Sequence, residues 1–286
     1  MRKSLIGLLA VAGLTLSACG GSSESSDTTA AAGTSGNECT TGKTLAEGKL
    51  TIGTGNPAFS PWVENDAPES AEGFEAAVAY AVATQLGFST ENVAWVRTGF
   101  DEAIQPGAKN FDFNLQQYSI TDERKETVSF SDPYYTTNQA MVGLADSAAA
   151  GVGTLADLKS IKFGAQSGTT SLDFITEVIQ PDTEPYVYDD NAAAKAALEA
   201  GQVDAIVVDL PTAFYIAAVE IEGASVVGQF AADLSGQADE FGLVFDLDNP
   251  LVDCVNTALA TLKDDGTLAE IESTWLNETG APVISE

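Results

Sequence analysis

The sequence predicts an α/β fold with mainly parallel sheets. Short β-type runs alternate with helical patterns from about Leu45 onward, as in βα units. The run 203–208 is an apolar strand closed by Asp209. About 250 residues follow a polar N-terminal stretch, enough for one large domain or two smaller ones.

The elements follow in order. Residues 49–54 form a strand ending in glycine-rich punctuation. Phe74, Ala77, Val78, Ala81, Val82 and Leu86 keep helical spacing, and Gly87 supplies a stop. Residues 93–96 and 111–115 read as strands. Residues 161–165 form a strand that enters the loop Gln166-Ser167-Gly168-Thr169-Thr170, and a helical pattern covers 171–179. Residues 191–200 make an alanine-rich helix ended by Gly201. Residues 241–245 read as a strand. Residues 249–263 and 267–276 read as helices parted by Asp264-Asp265-Gly266. Trp62, Trp95 and Trp275 read as packing residues, and no short tandem repeat is present.

Ahead of the fold, Met1-Arg2-Lys3 precedes an apolar run over 4–16 and then Leu16-Ser17-Ala18-Cys19. A charged start, a short apolar stretch and small residues before a cut make a secretory signal. The run is too short for a bilayer, which takes about 20 residues. Leu-Ser-Ala-Cys resembles the lipobox of bacterial lipoproteins, in which the cysteine is lipidated and becomes the new N-terminus. Residues 1–18 are thus expected to be a signal peptide and Cys19 the lipidation site; the alternative is an ordinary signal with a chance cysteine. Residues 20–37 hold no large apolar side chain and read as a tether.

The chain carries 12 basic and 42 acidic residues, a net charge of −30, and removal of Arg2 and Lys3 with the signal makes it more negative still. Such a surface repels nucleic acid and anionic headgroups. Histidine is absent, which excludes Ser-His-Asp and Cys-His catalysis and histidine metal sites. No metal or cofactor signature is present. Of three cysteines, a lipidated Cys19 leaves Cys39 and Cys254 as a pair for an oxidising compartment, the alternative being two free thiols.

The stretch Ser119-Ile120-Thr121-Asp122-Glu123-Arg124-Lys125, followed by Phe130-Ser131-Asp132-Pro133-Tyr134-Tyr135, closely resembles the extracellular solute-binding proteins of family 3, which feed polar amino acids to ABC importers. Leu50-Thr51-Ile52-Gly53-Thr54 with Pro61-Trp62, Gly73-Phe74-Glu75, the 166–170 loop and the 203–209 strand are similar to other family segments in the same order. The resemblance covers roughly 45–276. It implies two α/β lobes of the periplasmic-binding-protein type (type II), joined by two hinge strands around a central cleft. The expected bounds are 19–44 for the lipidated start and tether, 45–138 plus 235–286 for lobe 1, and 139–234 for lobe 2, with the chain returning near Gly236.

The resemblance also implies ligand roles. Arg124, whose planar fork matches a carboxylate, is expected to grip the ligand's α-carboxylate, joined by Ser119, Thr169 and Thr170. Asp209 is expected to hold the α-ammonium, with Gln117 nearby. Phe59 is expected to pack over the ligand side chain and Asn56 to read its tip. Taken alone, Arg124 reads as a solvated helix arginine, Thr169-Thr170 and Asp209 as helix caps, and Phe59 as core. Gln116 and Tyr118 flank the site by alternation, one of them belonging to core or rim. Glu75 stands where the family's first-helix acid is usually structural, and Ala77 replaces the second. The absence of an acid at position 56 argues against a strongly basic ligand. The expected protein is an exported monomer, lipid-anchored to the outer face of the bacterial membrane. It binds a free polar or neutral amino acid, meets an ABC permease, touches no nucleic acid and catalyses nothing. A dehydratase-like enzyme on the same fold and a ligand-sensing receptor component are the alternatives.

Overall fold

The computed structural model describes residues 36–231, 234, 238–276 and 280–286. The signal peptide, Cys19, most of the tether and Gly236 lie outside the described residues.

Two sheets, each with its own apolar core, organise the chain. In the first, β1 (Leu50–Gly55) runs parallel between β2 (Val93–Thr98) and β3 (Phe113–Asn114), so that Ile52 faces Trp95 on one side and Phe113 on the other. Next to β3 lies antiparallel β12 (Val244–Phe245), and β4 (Ser129–Phe130) pairs beyond it. The helix α1 (Phe74–Gln85) buries Phe74, Val78 and Val82 at four-residue spacing against this sheet. Helices α7 (Val252–Asp264) and α8 (Thr267–Trp275) add Val255, Leu259, Leu262 and Leu268 to the same core. Trp62 lies in this core, edge-on to Phe74, Tyr135 and Phe241. Gly73 starts α1 at φ 101°, where a Cβ would strike the backbone of Trp62 and Val63.

The second sheet has six strands. Its strands are β6 (Gln139–Leu144), β7 (Phe163–Gln166), β8 (Tyr186–Tyr188), β9 (Ala205–Asp209), β10 (Ala224–Phe230) and β13 (Val283–Ile284). β7 runs parallel to β8 and β9, whereas β6 runs antiparallel to β9 and β10. Helices cover both faces. Ala205 and Val207 of β9 pack into one core with Ile175 and Ile179, and Ile206 and Val208 into another with Ala194, Leu198 and Ala213. This is why 203–208 reads as apolar rather than alternating. The covering helices are α4 (Thr170–Asp173), α5 (Asn191–Glu199) and α6 (Leu210–Tyr215). Two further short helices, α2 (Phe100–Ile104) and α3 (Asp122–Lys125), belong to the first lobe.

A two-stranded ribbon joins the lobes. β5 (Tyr135–Thr137) pairs antiparallel with β11 (Asp239–Phe241), Tyr135 opposite Phe241 and Thr137 opposite Asp239. The chain enters the second lobe through β5 and leaves it through β11. The architecture is two α/β lobes with two hinge strands and a cleft between them.

Several expectations need correction. The strand expected over 111–115 shortens to Phe113–Asn114. The strand expected over 241–245 is two pieces in different sheets, because the chain exchanges partner β5 for β3 and β4 across Gly242 and Leu243. The helix expected over 171–179 begins as α4 and widens to a π-helix over Phe174–Ile179. The segment 36–44 is not tether. Gly36 and Asn37 donate to the carbonyls of Gly87 and Leu86, and Cys39 is bonded to Cys254 of α7. That disulfide spans 215 positions, and such crosslinks typically contribute about 2–4 kcal/mol. The end of the chain does not stay in the first lobe either. β13 pairs with β10, and Ile284 fills the second lobe's core beside Phe230. Burying that isoleucine draws the tail across.

Candidate functional site

The first-lobe side of the cleft is built where β3 runs out. Leu115 and Tyr118 go into the core, while Gln116 and Gln117 line the cleft. Gln117 sits at φ 52°, an uncommon conformation for a residue with a side chain. Glu75 in the first turn of α1 holds it there. One Glu75 oxygen accepts from the Gln117 backbone N–H at 2.7 Å and from the Tyr134 hydroxyl, and the other accepts from the Gln117 amide. Burial pushes the Glu75 carboxyl up to about 7, against the lowering effect of those hydrogen bonds.

Thr121 caps α3 by accepting from the Arg124 backbone N–H at 3.2 Å. The Arg124 side chain turns inward, and the residue is 9% exposed. Its Nη1 donates to the Ser119 carbonyl at 2.7 Å, and its Nη2 donates across the cleft to the Gly168 carbonyl at 2.9 Å. The guanidinium lies 5.5 Å from the centre of the Phe100 ring, which stacks on Tyr118. Burial draws its pKa below the ordinary arginine value.

On the second-lobe side, β7 ends in Gln166 and the chain turns through Gly168 at φ 68°. Thr169 caps α4, accepting from the Leu172 N–H at 3.2 Å. The Thr170 hydroxyl meets the Ser119 hydroxyl at 3.2 Å, again across the lobes. Asp209 ends β9. It occupies the cap position of α6, yet its side chain makes no capping hydrogen bond. Its carboxylate instead accepts from Gln139 Nε2 at 3.3 Å. Burial raises its pKa well above the usual carboxylate range, and Asp239 and Glu75 add repulsion. Its hydrogen-bond partner is a neutral amide, so a cation brought into the cleft would favour the ionised form of Asp209.

Six of the eight residues expected to bind ligand line one cleft: Phe59, Gln117, Arg124, Thr169, Thr170 and Asp209. Ser119 lies behind it, its carbonyl orienting Arg124 and its hydroxyl on Thr170. Asn56 is exposed and outside the lining, since the chain turns away after β1. The residue at position 56 therefore says nothing about ligand charge. The open choice between Gln116 and Tyr118 resolves with Gln116 in the cleft and Tyr118 fully buried.

Sequence reasoning missed Phe100, Gln166, Ser171 and Asn191 in the lining, and it missed Gln139. The Gln139 amide donates to Asp209, to Thr170 at 3.4 Å and to Asp239 of the hinge strand at 2.8 Å, and its oxygen accepts from Ser171 at 2.6 Å. One signal was available: Gln139 opens the otherwise apolar run 139–144, and a buried amide in such a strand needs partners. The other four carry no comparable mark.

The cleft thus presents a buried cation from one lobe and a buried carboxylate from the other, with hydroxyls, amides and aromatic faces between. That arrangement, on two lobes joined by a two-strand hinge, defines a protein that captures a small dipolar solute. The chain belongs to the bacterial extracellular solute-binding proteins, family 3, whose family model matches residues 50–278. It is 28% identical over 223 residues to the arginine-binding periplasmic protein of Mannheimia haemolytica, covering 77% of this chain and 88% of that one. Among solved structures, an ancestral arginine-binding protein bound to glutamine is 30% identical, with a TM-score of 0.67 over 82% of this chain and 100% of that one. The ancestral amino-acid-binding protein AncCDT-1, described as a precursor of cyclohexadienyl dehydratase, is also 30% identical, with a TM-score of 0.65 over 80% and 95% of the two chains.

Proposed function

We propose that this protein captures a free amino acid with a polar or neutral side chain between its lobes and delivers it to an ABC permease. The observation that carries this is the placement of Arg124 and Asp209 in one cleft from opposite lobes. A zwitterion matches both: its carboxylate takes the guanidinium fork and its ammonium relieves the buried Asp209. Thr169, Thr170 and Ser119 belong to the carboxylate end, Gln117 to the ammonium end and Phe59 to the ligand side chain. Because the lobes each hold part of the site, ligand favours the closed state through contacts that exist only there. The lobes are read as 36–138 with 238–276, and 139–231 with 281–286. Freshly purified protein, denatured and analysed by mass spectrometry, is expected to release an amino acid. Release of none, together with no amino-acid binding by calorimetry, would end this reading.

The protein is further read as a monomer held to the outer face of the cell membrane by lipid on Cys19. Among the described residues no helix is long and apolar enough to cross a membrane. Cys19→Ala should move the protein from the membrane fraction into the medium or periplasm, and unchanged retention would overturn the anchor.

An enzyme on this fold has one point in its favour, a buried cleft carboxyl with a raised pKa, the mark of a general acid. The same property suits an ammonium partner, and Arg124 opposite completes a zwitterion site. We therefore read the protein as a binder that catalyses nothing. Turnover of a candidate substrate would reverse that choice.

A further inference from the structure

An ion pair stands at the edge of the cleft, apart from Arg124 and Asp209. Lys195 of α5 bonds the Glu220 carboxylate, and the two side chains are only 16% and 28% exposed. The Lys195 ammonium also lies 5.3 Å from the centre of the Phe59 ring. Phe59 comes from the first lobe and the ion pair from the second, so this contact closes across the lobe boundary. Phe59, Gln117 and Asn191 line both the cleft and the small space that Lys195 and Glu220 border with Trp62 and Thr212. That space is the continuation of the cleft on the side that Arg124, Thr170 and Asp209 do not reach. Trp62 Nε1 donates to Thr212 across the lobes at 2.8 Å and fixes its far wall.

We infer that the Lys195–Glu220 pair reads the end of the ligand's side chain and selects an uncharged carboxamide, as in glutamine. The inference rests on the amino-acid reading above. The charged side chains lining the two spaces are Arg124, Asp209, Lys195 and Glu220. The first two are engaged by the α-carboxylate and α-ammonium, which leaves the second two for the side chain. A carboxamide offers its oxygen to the ammonium and its N–H groups to the carboxylate, so it joins the pair without breaking it. A side-chain carboxylate must compete with Glu220 for Lys195 and sits beside a like charge. A guanidinium or ammonium can bond Glu220 but is repelled by Lys195. Either charged end strands one member of the pair and meets a like charge, at a cost limited by the exposure of Glu220. Gln116, Gln117 and Asn191 supply further amide partners without adding charge.

The test is calorimetry of L-glutamine, L-glutamate and L-arginine on the wild type, Lys195→Met and Glu220→Gln. The wild type should bind glutamine at least about tenfold more tightly than the other two, a difference of about 1.4 kcal/mol. Lys195→Met frees the Glu220 carboxylate and should improve arginine relative to glutamine by about tenfold or more. Glu220→Gln frees the ammonium and should do the same for glutamate. The inference is overturned if both variants keep the wild-type ranking, or if the wild type prefers a charged side chain or ignores glutamine. In each of those cases the mass-spectrometric release of an amino acid tells whether the reading of the cleft survives without it.

Discussion

Replacing Arg124 with alanine should leave the fold intact and abolish most ligand affinity. Arg124 is 9% exposed, and its guanidinium bonds the Ser119 and Gly168 carbonyls. Its loss would bring the ligand carboxylate into a desolvated cleft with no cation to meet it. Truncating one partner of a buried, hydrogen-bonded charge pair costs about 2–5 kcal/mol, so the affinity should fall by roughly 30-fold to several thousand-fold. Circular dichroism should be unchanged, because Thr121 still caps α3 through the backbone of residue 124. Ordinary affinity in Arg124→Ala, measured by calorimetry, would mean that the carboxylate grip has been misplaced. Lysine at this position should restore the charge but not the two-pronged geometry, and so only part of the affinity.

Asp209→Asn keeps the size of the side chain and removes the charge that matches the ammonium. Affinity should drop by an amount comparable to the Arg124 loss. Compaction on ligand addition, followed by small-angle scattering, should fade at ligand levels that close the wild type. An N-acetylated amino acid, which has no ammonium, should bind the wild type poorly. The pH dependence has a definite sign. The Asp209 pKa is raised by burial when the lobes are in contact, and an ammonium favours its ionised form, so binding expels a proton whenever Asp209 starts protonated. Affinity should therefore rise with pH up to that raised pKa and level off above it, whereas Asp209→Asn should lack this limb. A variant that binds, closes and titrates like the wild type would return Asp209 to the role of a helix residue. The ammonium partner would then be sought around Gln117.

Much of the cleft was legible because motifs that resemble the family fall at the ends of regular elements, where the same residues taken alone read only as caps and a solvated arginine. Asp209 closes an apolar strand, Thr169 and Thr170 open a helix after a glycine, and Arg124 stands one turn past a threonine cap. Such positions carry local signals: a change of period, a cap, a break in hydrophobicity. Gln139 and Asn191 were missed for the opposite reason. Their roles come from partners 31 to 100 positions away for Gln139, and from the cleft wall they share with the first lobe for Asn191. Asn56 was misplaced because the path of a loop depends on what it packs against.

The amino-acid order alone established the α/β class, about half of the strands and most of the longer helices, and, through motifs that resemble a known family, six of the residues that share the cleft. Each follows from interactions among near neighbours or from a short motif. Folding in three dimensions determined how those pieces were shared out. It divided the 241–245 run between hinge and sheet and drew 283–286 into the second lobe. It also locked Gln117 onto Glu75 and set Lys195 with Glu220 behind Phe59. These outcomes depend on which buried surfaces and charges meet across long separations, and no local pattern of residues encodes that meeting.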